Sequence, residues 1–553
     1  MNDRSSDISD VEQSRWPDWF GWLCLIGLAL LSMAVLGPLL LKGRTLSGAD
    51  GLFPPDQLQY LTWIREASNH WLIGNRFDFQ PDSRVFLHPG FLLSGLVHRF
   101  TGLSLQTSFL AVWKPAAVLI TFIGCWLYTK RTLSAGWPQR VGMFLALFAV
   151  MPWSGLWKLT GWGGAPRQYT LDFISGEMWT GQTMFGYMMT ACAVFALPLV
   201  LLGLERVRNG GGWVLLTVCS LGGAWIMWLQ PWQGAELIVI VGLVELWRAY
   251  RFKVRLDYRL LLLFVATALP AIYYATIAAT DSAWSLAGKA NAAGAQPLWS
   301  WPIWAVVLTL APLALPALLA WRDRSGDWQQ LAVRFWPLAV VIVYFQPFGT
   351  FPYHALQGLT LPLAVLSVQA FTTHRQRWVP RPRWWWVLPV TAFLVLPGTF
   401  HKVNLVRESI HRVAYPYYIF DGESAALSYL TDNRAPGGVL ADSYGGLLVP
   451  PYSGREVYLG PFSWTPNWES RARLTGEFFA GQMSPAAGRT FVERSGARFV
   501  FQQCGGRAEA PKDLAAEMPG LIAETKEFGC ARVYVIKPSA NSDRVSAAVG
   551  GPN

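Results

Sequence analysis

Charge is what this chain has least of. Asp, Glu, Lys and Arg make up 14% of its 553 residues, against roughly 25% in soluble proteins, while apolar residues reach 52%. Three or four soluble domains, the number that length suggests at about 150 residues each, are thereby excluded, and the composition is that of an integral membrane protein. A basic stripe with interleaved aromatics is also missing. The formal charge of +11 therefore does not point to nucleic acid, because Lys and Arg sit in short clusters between apolar runs, as in cytoplasmic loops. No small-residue cleavage site accompanies the first apolar segment, which is too long for a signal-peptide core and follows an acidic tip. It is read as a retained helix.

Eleven apolar stretches approach the roughly 17–25 residues that a helix needs to cross a bilayer with its backbone satisfied. They cover 19–41, 108–129, 141–159, 183–204, 213–229, 235–247, 260–280, 297–321, 331–348, 355–373 and 384–400. Positive clusters such as Lys130/Arg131/Arg140, Arg206/Arg208 and Arg322/Arg324 fall in alternate loops, whereas the short loops 230–234 and 349–354 carry no Lys or Arg. This asymmetry predicts a cytoplasmic amino terminus and an outer carboxyl terminus. The expected organisation is a cytoplasmic tail 1–18, a membrane region 19–400 with a large first outer loop 42–107, an extracytoplasmic α/β domain 401–538, and a flexible tail 539–553. The fold class is thus a polytopic α-helical membrane protein of about eleven spans carrying a C-terminal α/β domain. Thirty Trp gather mostly at span ends, where interfacial anchoring is their ordinary role, and stacking on a sugar ring stays open for a few in the outer loops.

In the first outer loop Tyr60, Trp63, Ile64, Ala67 and Trp71 recur at helical spacing, as do Leu92, Leu93, Leu96 and Phe100. Two short helices on the membrane surface are predicted. Beyond His401, β-type runs at 438–441, 455–459, 497–502 and 531–536 alternate with helical stretches at 422–431, 470–482 and 485–495. Cys504 follows one of these strands and Cys530 precedes another. A bridge forms if the two strands are neighbours; two buried free thiols are the other reading.

Ionisable groups are nearly absent from the spans, Lys114, Glu236 and Glu245 near their ends being the main ones. The outer loops hold Asp50, Asp56, Asp78, Asp82, His88, Arg167, Asp172 and Glu177 instead. Acids gathered on one membrane face beside an aromatic-rich interface suit general-base chemistry on a hydroxyl, or metal binding, better than translocation. Asp56, after Pro54 and Pro55, heads the first surface helix and is equally suited to capping it.

The stretch Asp56-Gln-Leu-Gln-Tyr60-Leu-Thr-Trp-Ile64, followed by Phe86-Leu-His88-Pro89 and the second surface helix, resembles the first outer loop of GT-C-type integral membrane glycosyltransferases. Residues 449–460 are similar to the soluble domain of a little-characterised bacterial branch of that superfamily. The resemblance implies an inverting transferase at the outer face of the bacterial plasma membrane. It would move a sugar from a polyprenyl-phosphate-linked donor to an extracytoplasmic acceptor, which is a glycan, lipid or protein. An acidic residue of the first outer loop is then the base or orients the reacting groups, a role carried onto Asp56 with Asp50 in reserve. The paired-acid motif of many members is absent, since Gln57 follows Asp56. No cofactor is fixed, and a divalent metal stays open.

The chemistry asks for the same parts. A carboxylate that accepts the proton of a sugar hydroxyl contributes about 10²–10⁴-fold, and a departing lipid phosphate needs positive charge. Lys114, His354 and Arg167 are the candidates for that charge, and Tyr60, Asp78, His88 and Glu177 complete the expected substrate-binding set. A transporter or lipid flippase is the competing reading. It predicts paired repeats, Gly/Pro-broken helices and buried ion pairs, and no repeat is evident.

Overall fold

The computed structural model describes residues 16–41, 45–51, 53–79, 83–153, 156, 173–294, 303–321, 326–346, 351–378, 387–412, 416–504 and 513–538. Arg167, Asp172, Asp82 and both polar chain ends lie outside the described residues. Helices dominate: α1 (Trp19–Leu41), α2 (Pro54–Asn69), α3 (Pro89–Thr101), α4 (Leu105–Thr132), α5 (Trp137–Phe148), α6 (Met188–Arg208) and α7 (Trp213–Leu229). The chain continues through α8 (Pro231–Phe252), α9 (Leu261–Thr280), α10 (Ser282–Gly294), α11 (Ile303–Ala320), α12 (Trp328–Tyr344), α13 (Thr360–Trp378) and α14 (Val387–Arg412). Among the described residues, six helical segments are long and apolar enough to cross a membrane: Trp19–Leu41, Leu105–Thr132, Met188–Arg208, Tyr258–Thr280, Ile303–Ala320 and Pro352–Thr373.

Local chemistry explains the ends of the helices that matter here. Pro54 and Pro55 occupy the first two positions of α2, where a missing N–H costs nothing. Phe53 is therefore its N-cap, and Asp56 sits in the first turn without capping it. Ser104 caps α4 by accepting from the Thr107 N–H. The stretch 183–204 becomes α-helical only at Met188, because Gly186 turns the backbone at φ +92°.

The bundle has two chemically distinct ends. At one, Arg131 pairs with Glu205 and with Asp327 at 2.5 Å, Arg208 with Glu245 at 3.1 Å, Arg259 with Asp257 at 2.8 Å and Arg140 with Asp18 at 2.7 Å. The other end gathers α2, α3, the turn Pro352–Leu356 and the C-terminal residues. There β1 (Thr45–Leu46) pairs antiparallel with β2 (Tyr418–Ile419), stitching the two distant segments together.

After β2 come α15 (Asp421–Asp432), β3 (Val439–Ala441), α16 (Gly445–Ser453), α17 (Trp468–Phe479), α18 (Pro485–Ser495), β4 (Phe499–Gln502), β5 (Ile522–Phe528) and β6 (Ala531–Ile536). The sheet order is β3-β4-β6-β5, with β3 and β4 parallel and the other pairs antiparallel. Leu440, Val500 and Tyr534 of the sheet pack with Phe478 and Phe491 of the helices. The run 455–459 is not a strand: it contributes a single parallel bridge, Val457 to Val439. The fourth strand is β5, whose Glu524, Lys526 and Glu527 give it the charged character of an edge. Cys504 and Cys530 are joined by a disulfide with Cα atoms 5.0 Å apart.

These C-terminal elements are bound to the first loop by polar contacts. Arg65 donates to the Pro451 carbonyl at 3.0 Å, Arg76 pairs with Glu456 at 3.0 Å and Asn75 donates to the Trp464 carbonyl at 3.0 Å. The loop is thereby fixed on both sides, by the bundle below and by the sheet and its helices beside it.

Candidate active site

A cavity of about 590 Å³ opens where α2, α6, α8, α9, α10 and the turn at Pro352 meet residues 462–464. Its polar end is organised around Asp56. The Tyr187 hydroxyl donates to Asp56 Oδ2 at 2.5 Å. Burial pushes the Asp56 carboxyl above its ordinary range; the Tyr187 hydrogen bond and the His354 ring oppose that, and Glu177 adds to it. Asp56 still retains part of its surface facing the cavity, so its carboxylate is both desolvated and reachable.

His354 lies on the same wall. Its Nδ1 stands 3.3 Å from Glu177 Oε2 and 3.0 Å from Gln357 Nε2. Gln357 also donates to Glu177 at 2.9 Å and accepts from Gln230 at 2.7 Å. A buried carboxylate and one amide, itself held by Gln230, thus meet one imidazole nitrogen, while Trp232 meets the ring edge-on at 4.9 Å. The arrangement can accept a proton at Asp56 and present an imidazole for hydrogen bonding at His354, both on the cavity lining.

Much of the remaining lining is aromatic. Trp464 meets Trp63 at 5.2 Å and Trp284 at 4.9 Å, both edge-on, and Trp284 lies 4.3 Å from Phe86. Tyr60 stacks on Trp63 at 6.0 Å. These rings come from the first loop, from α10 and from the C-terminal part, so no single segment builds the wall. Among the described residues that line the cavity there is no Lys or Arg.

The expected site residues divide into three groups. Asp56, Tyr60, His88 and His354 line the cavity, and Glu177 backs His354. His88 does so as a structural group: its ring caps α3 by accepting from the Phe91 N–H, stacks on Phe91 at 4.1 Å, and is held by burial at a pKa of about 3, hence neutral. Asp50, Asp78 and Lys114 are placed elsewhere. Lys114 Nζ is 2.5 Å from Asp50 Oδ2 and donates to the carbonyls of Ser32 and Met184, so its ammonium is consumed before it can meet a phosphate. Asp50 is fully buried in that pair rather than facing the cavity. Asp78 accepts from Arg471 at 2.8 Å and ties the loop to α17. Arg167 lies outside the described residues.

Tyr187, Gln230, Gln357 and Trp464 were not read from the sequence. Tyr187 carried a signal, a lone phenol after a glycine at the head of an apolar stretch. Gln230 and Gln357 carried a weaker one, as amides beside apolar spans. Among the described residues no three His, Cys, Asp or Glu side chains converge as a metal-ligand set.

No protein-family model and no curated protein matches the chain. Solved structures do. The structure of ArnT from Cupriavidus metallidurans bound to undecaprenyl phosphate is 11% identical, covering 94% of this chain and 100% of that one at a TM-score of 0.48. The archaeal oligosaccharyltransferase AglB from Archaeoglobus fulgidus, in complex with an inhibitory peptide and a dolichol-phosphate, is 13% identical, covering 87% of this chain and 69% of that one at a TM-score of 0.45.

Proposed function

We propose that the chain is a GT-C-type membrane glycosyltransferase that moves a sugar from a polyprenyl-phosphate donor to an extracytoplasmic acceptor, with Asp56 as the proton acceptor. The observation that carries this reading is the Asp56 carboxylate, desolvated but reachable, in a cavity walled in part by Trp and Phe rings. Aromatic faces suit the apolar face of a sugar ring, and a carboxylate of raised pKa suits proton abstraction near neutral pH.

In the proposed step the acceptor oxygen bonds to the anomeric carbon as its proton passes to Asp56. The bond from that carbon to the phosphate oxygen breaks, and polyprenyl phosphate departs with the electron pair. One displacement inverts the anomeric centre. His354, steadied by Glu177 and Gln357, is assigned to the departing phosphate together with Arg167. In the same reading the eleven apolar stretches all cross the membrane, the Arg-rich end faces the cytoplasm, and residues 401–538 form a domain on the outer side.

A transporter reading draws on one observation, the buried Asp50–Lys114 pair. That pair is buried and does not line the cavity, so it does not favour the transporter reading. The test is Asp56→Asn in the purified protein, assayed with radiolabelled polyprenyl-phosphate-hexose and -pentose probes and an envelope glycan extract as acceptor. Turnover is expected to fall by about 10²–10⁴-fold, and a wild-type rate refutes the assignment.

A further inference from the structure

We propose that Asp50, Gln57 and Lys114 form a positioning latch that fixes Asp56 against Tyr187; the proposal rests on the assignment of Asp56 as proton acceptor. The latch begins with Lys114. Its ammonium has three protons to place, and it meets Asp50 Oδ2 at 2.5 Å, the Ser32 carbonyl of α1 at 2.8 Å and the Met184 carbonyl at 3.0 Å. One buried cation therefore joins α4, α1, the segment after β1 and the turn just before Tyr187.

Asp50 passes this fixation to Gln57. Gln57 Nε2 donates to Asp50 Oδ1 at 2.8 Å, and the Asp50 backbone N–H donates to Gln57 Oε1 at 3.1 Å. Both ends of the amide are gripped, so its plane and reach are set. The amide is wedged beneath two glycines. A Cβ on Gly186 would lie 2.6–2.9 Å from the Cδ, Nε2 and Oε1 atoms of Gln57, and one on Gly51 would lie 2.9 Å from Oε1.

The consequence lies in the neighbours. Gln57 directly follows Asp56 on α2, and Gly186 directly precedes Tyr187. The two partners of the 2.5 Å hydrogen bond are thus each one residue away from the same gripped amide. If the amide moves, acid and phenol move independently. A buried ion pair serving stability alone would be replaceable by apolar residues at little cost and would leave the Asp56–Tyr187 contact alone.

That difference sets the experiment. Asp50→Asn/Lys114→Met and Asp50→Leu/Lys114→Met are both uncharged, and they differ in whether Gln57 keeps an acceptor at the position of Oδ1. With the radiolabelled donor probes, kcat of the first variant is expected to exceed that of the second by about 10–100-fold, since a misplacement of about 1 Å costs about 10²-fold. The donor KM should agree within about twofold. Gln57→Met should match the second variant.

A readout independent of transfer is the infrared carboxyl band that Asp56→Asn removes, followed against pH. Asp56 is faced by Tyr187 and His354, by Glu177, and by Tyr60 of its own helix. Loss of the latch should raise the titration midpoint as Tyr187→Phe does. Equal kcat in the two double variants, with unshifted bands, overturns the latch while leaving the Asp56 assignment in place. A wild-type rate in Asp56→Asn overturns both.

Discussion

Asp442 gives the sharpest quantitative handle on the C-terminal residues. It follows β3, and its Oδ1 accepts from the backbone N–H groups of Tyr444 at 3.1 Å and Gly445 at 2.8 Å, while Oδ2 accepts from Gln503. Burial outweighs all three hydrogen bonds and pushes the carboxyl up to about 6, from about 3.9 in an unfolded chain. The folded state thus keeps this proton to a higher pH than the unfolded state does. Stability from this group is greatest at low pH, and it is lost as pH rises from about 4 to about 6, by up to about 3 kcal/mol for a displacement of about two pH units. Asp442→Asn removes the charge and keeps the acceptor for both N–H groups. Its new amide N–H₂ meets Gln503, whose buried Oε1 has no hydrogen-bond partner among the described residues, so a rotation of that side chain supplies one. The variant should therefore be more stable than the parent by about 1–3 kcal/mol at pH 7.5 and about equal at pH 4. Hydrogen exchange of peptides covering β3 and α16, corrected for intrinsic rates, measures this opening energy in the intact protein. The same pH slope in parent and variant refutes the reasoning.

The remaining predictions use the same logic elsewhere. Tyr187→Phe removes a hydrogen bond that lowers the Asp56 pKa, so the acid limb of the kcat profile should move to higher pH; an unmoved limb argues against Asp56 as the base. Cys504→Ser opens a loop with a sequence separation of 26. It should destabilise the sheet by about 3.5 kcal/mol on the chain-entropy estimate, read by calorimetry with and without reductant. Arg471→Met leaves the Asp78 carboxylate without its 2.8 Å partner and should loosen the loop at 76–79 by about 2 kcal/mol, measured by its exchange rates. A membrane-impermeant thiol reagent applied to intact cells should label Ser443→Cys and spare Gly326→Cys, and the reverse pattern would sink the proposed topology.

Helices were legible where hydropathy had a simple cause. The boundaries of α1 and α7 follow directly from uninterrupted apolar runs. α8 extends beyond the expected 235–247 at both ends, because hydropathy stops at the polar flanks while the helix itself runs from Pro231 at its first position to a left-handed cap at Lys253. α16 was hidden because Gly445, Gly446, Pro450 and Pro451 read as a turn, yet all four are buried in a helix closed by Gly454 at φ +74°. β5 was hidden because an edge strand carries the charges of a loop. Within the site, Asp56 was legible from its place at the head of a surface helix. The Asp50–Lys114 pair was not, since nothing in local spacing brings a loop acid to a lysine on α4; only the packing of α1 and α4 does.

The same pair accounts for the absence of a second acid beside Asp56. A carboxylate at position 57 would accept where Gln57 now donates, and would place two anions about 2.8 Å apart at Asp50 Oδ1, a like-charge contact that keeps both from ionising together. Lys114 is already engaged, by its ion pair with Asp50 Oδ2 and by the Ser32 and Met184 carbonyls to which it donates. Gln is one of the few side chains that donates to Asp50 Oδ1 and accepts from the Asp50 N–H from the same reach. The amide at 57 is thus dictated by a buried ion pair assembled from distant segments. A chain that commits its loop acid and nearest lysine to this pair leaves Asp56 as the single carboxylate presented by α2 to the cavity, steadied by a phenol instead of a second acid.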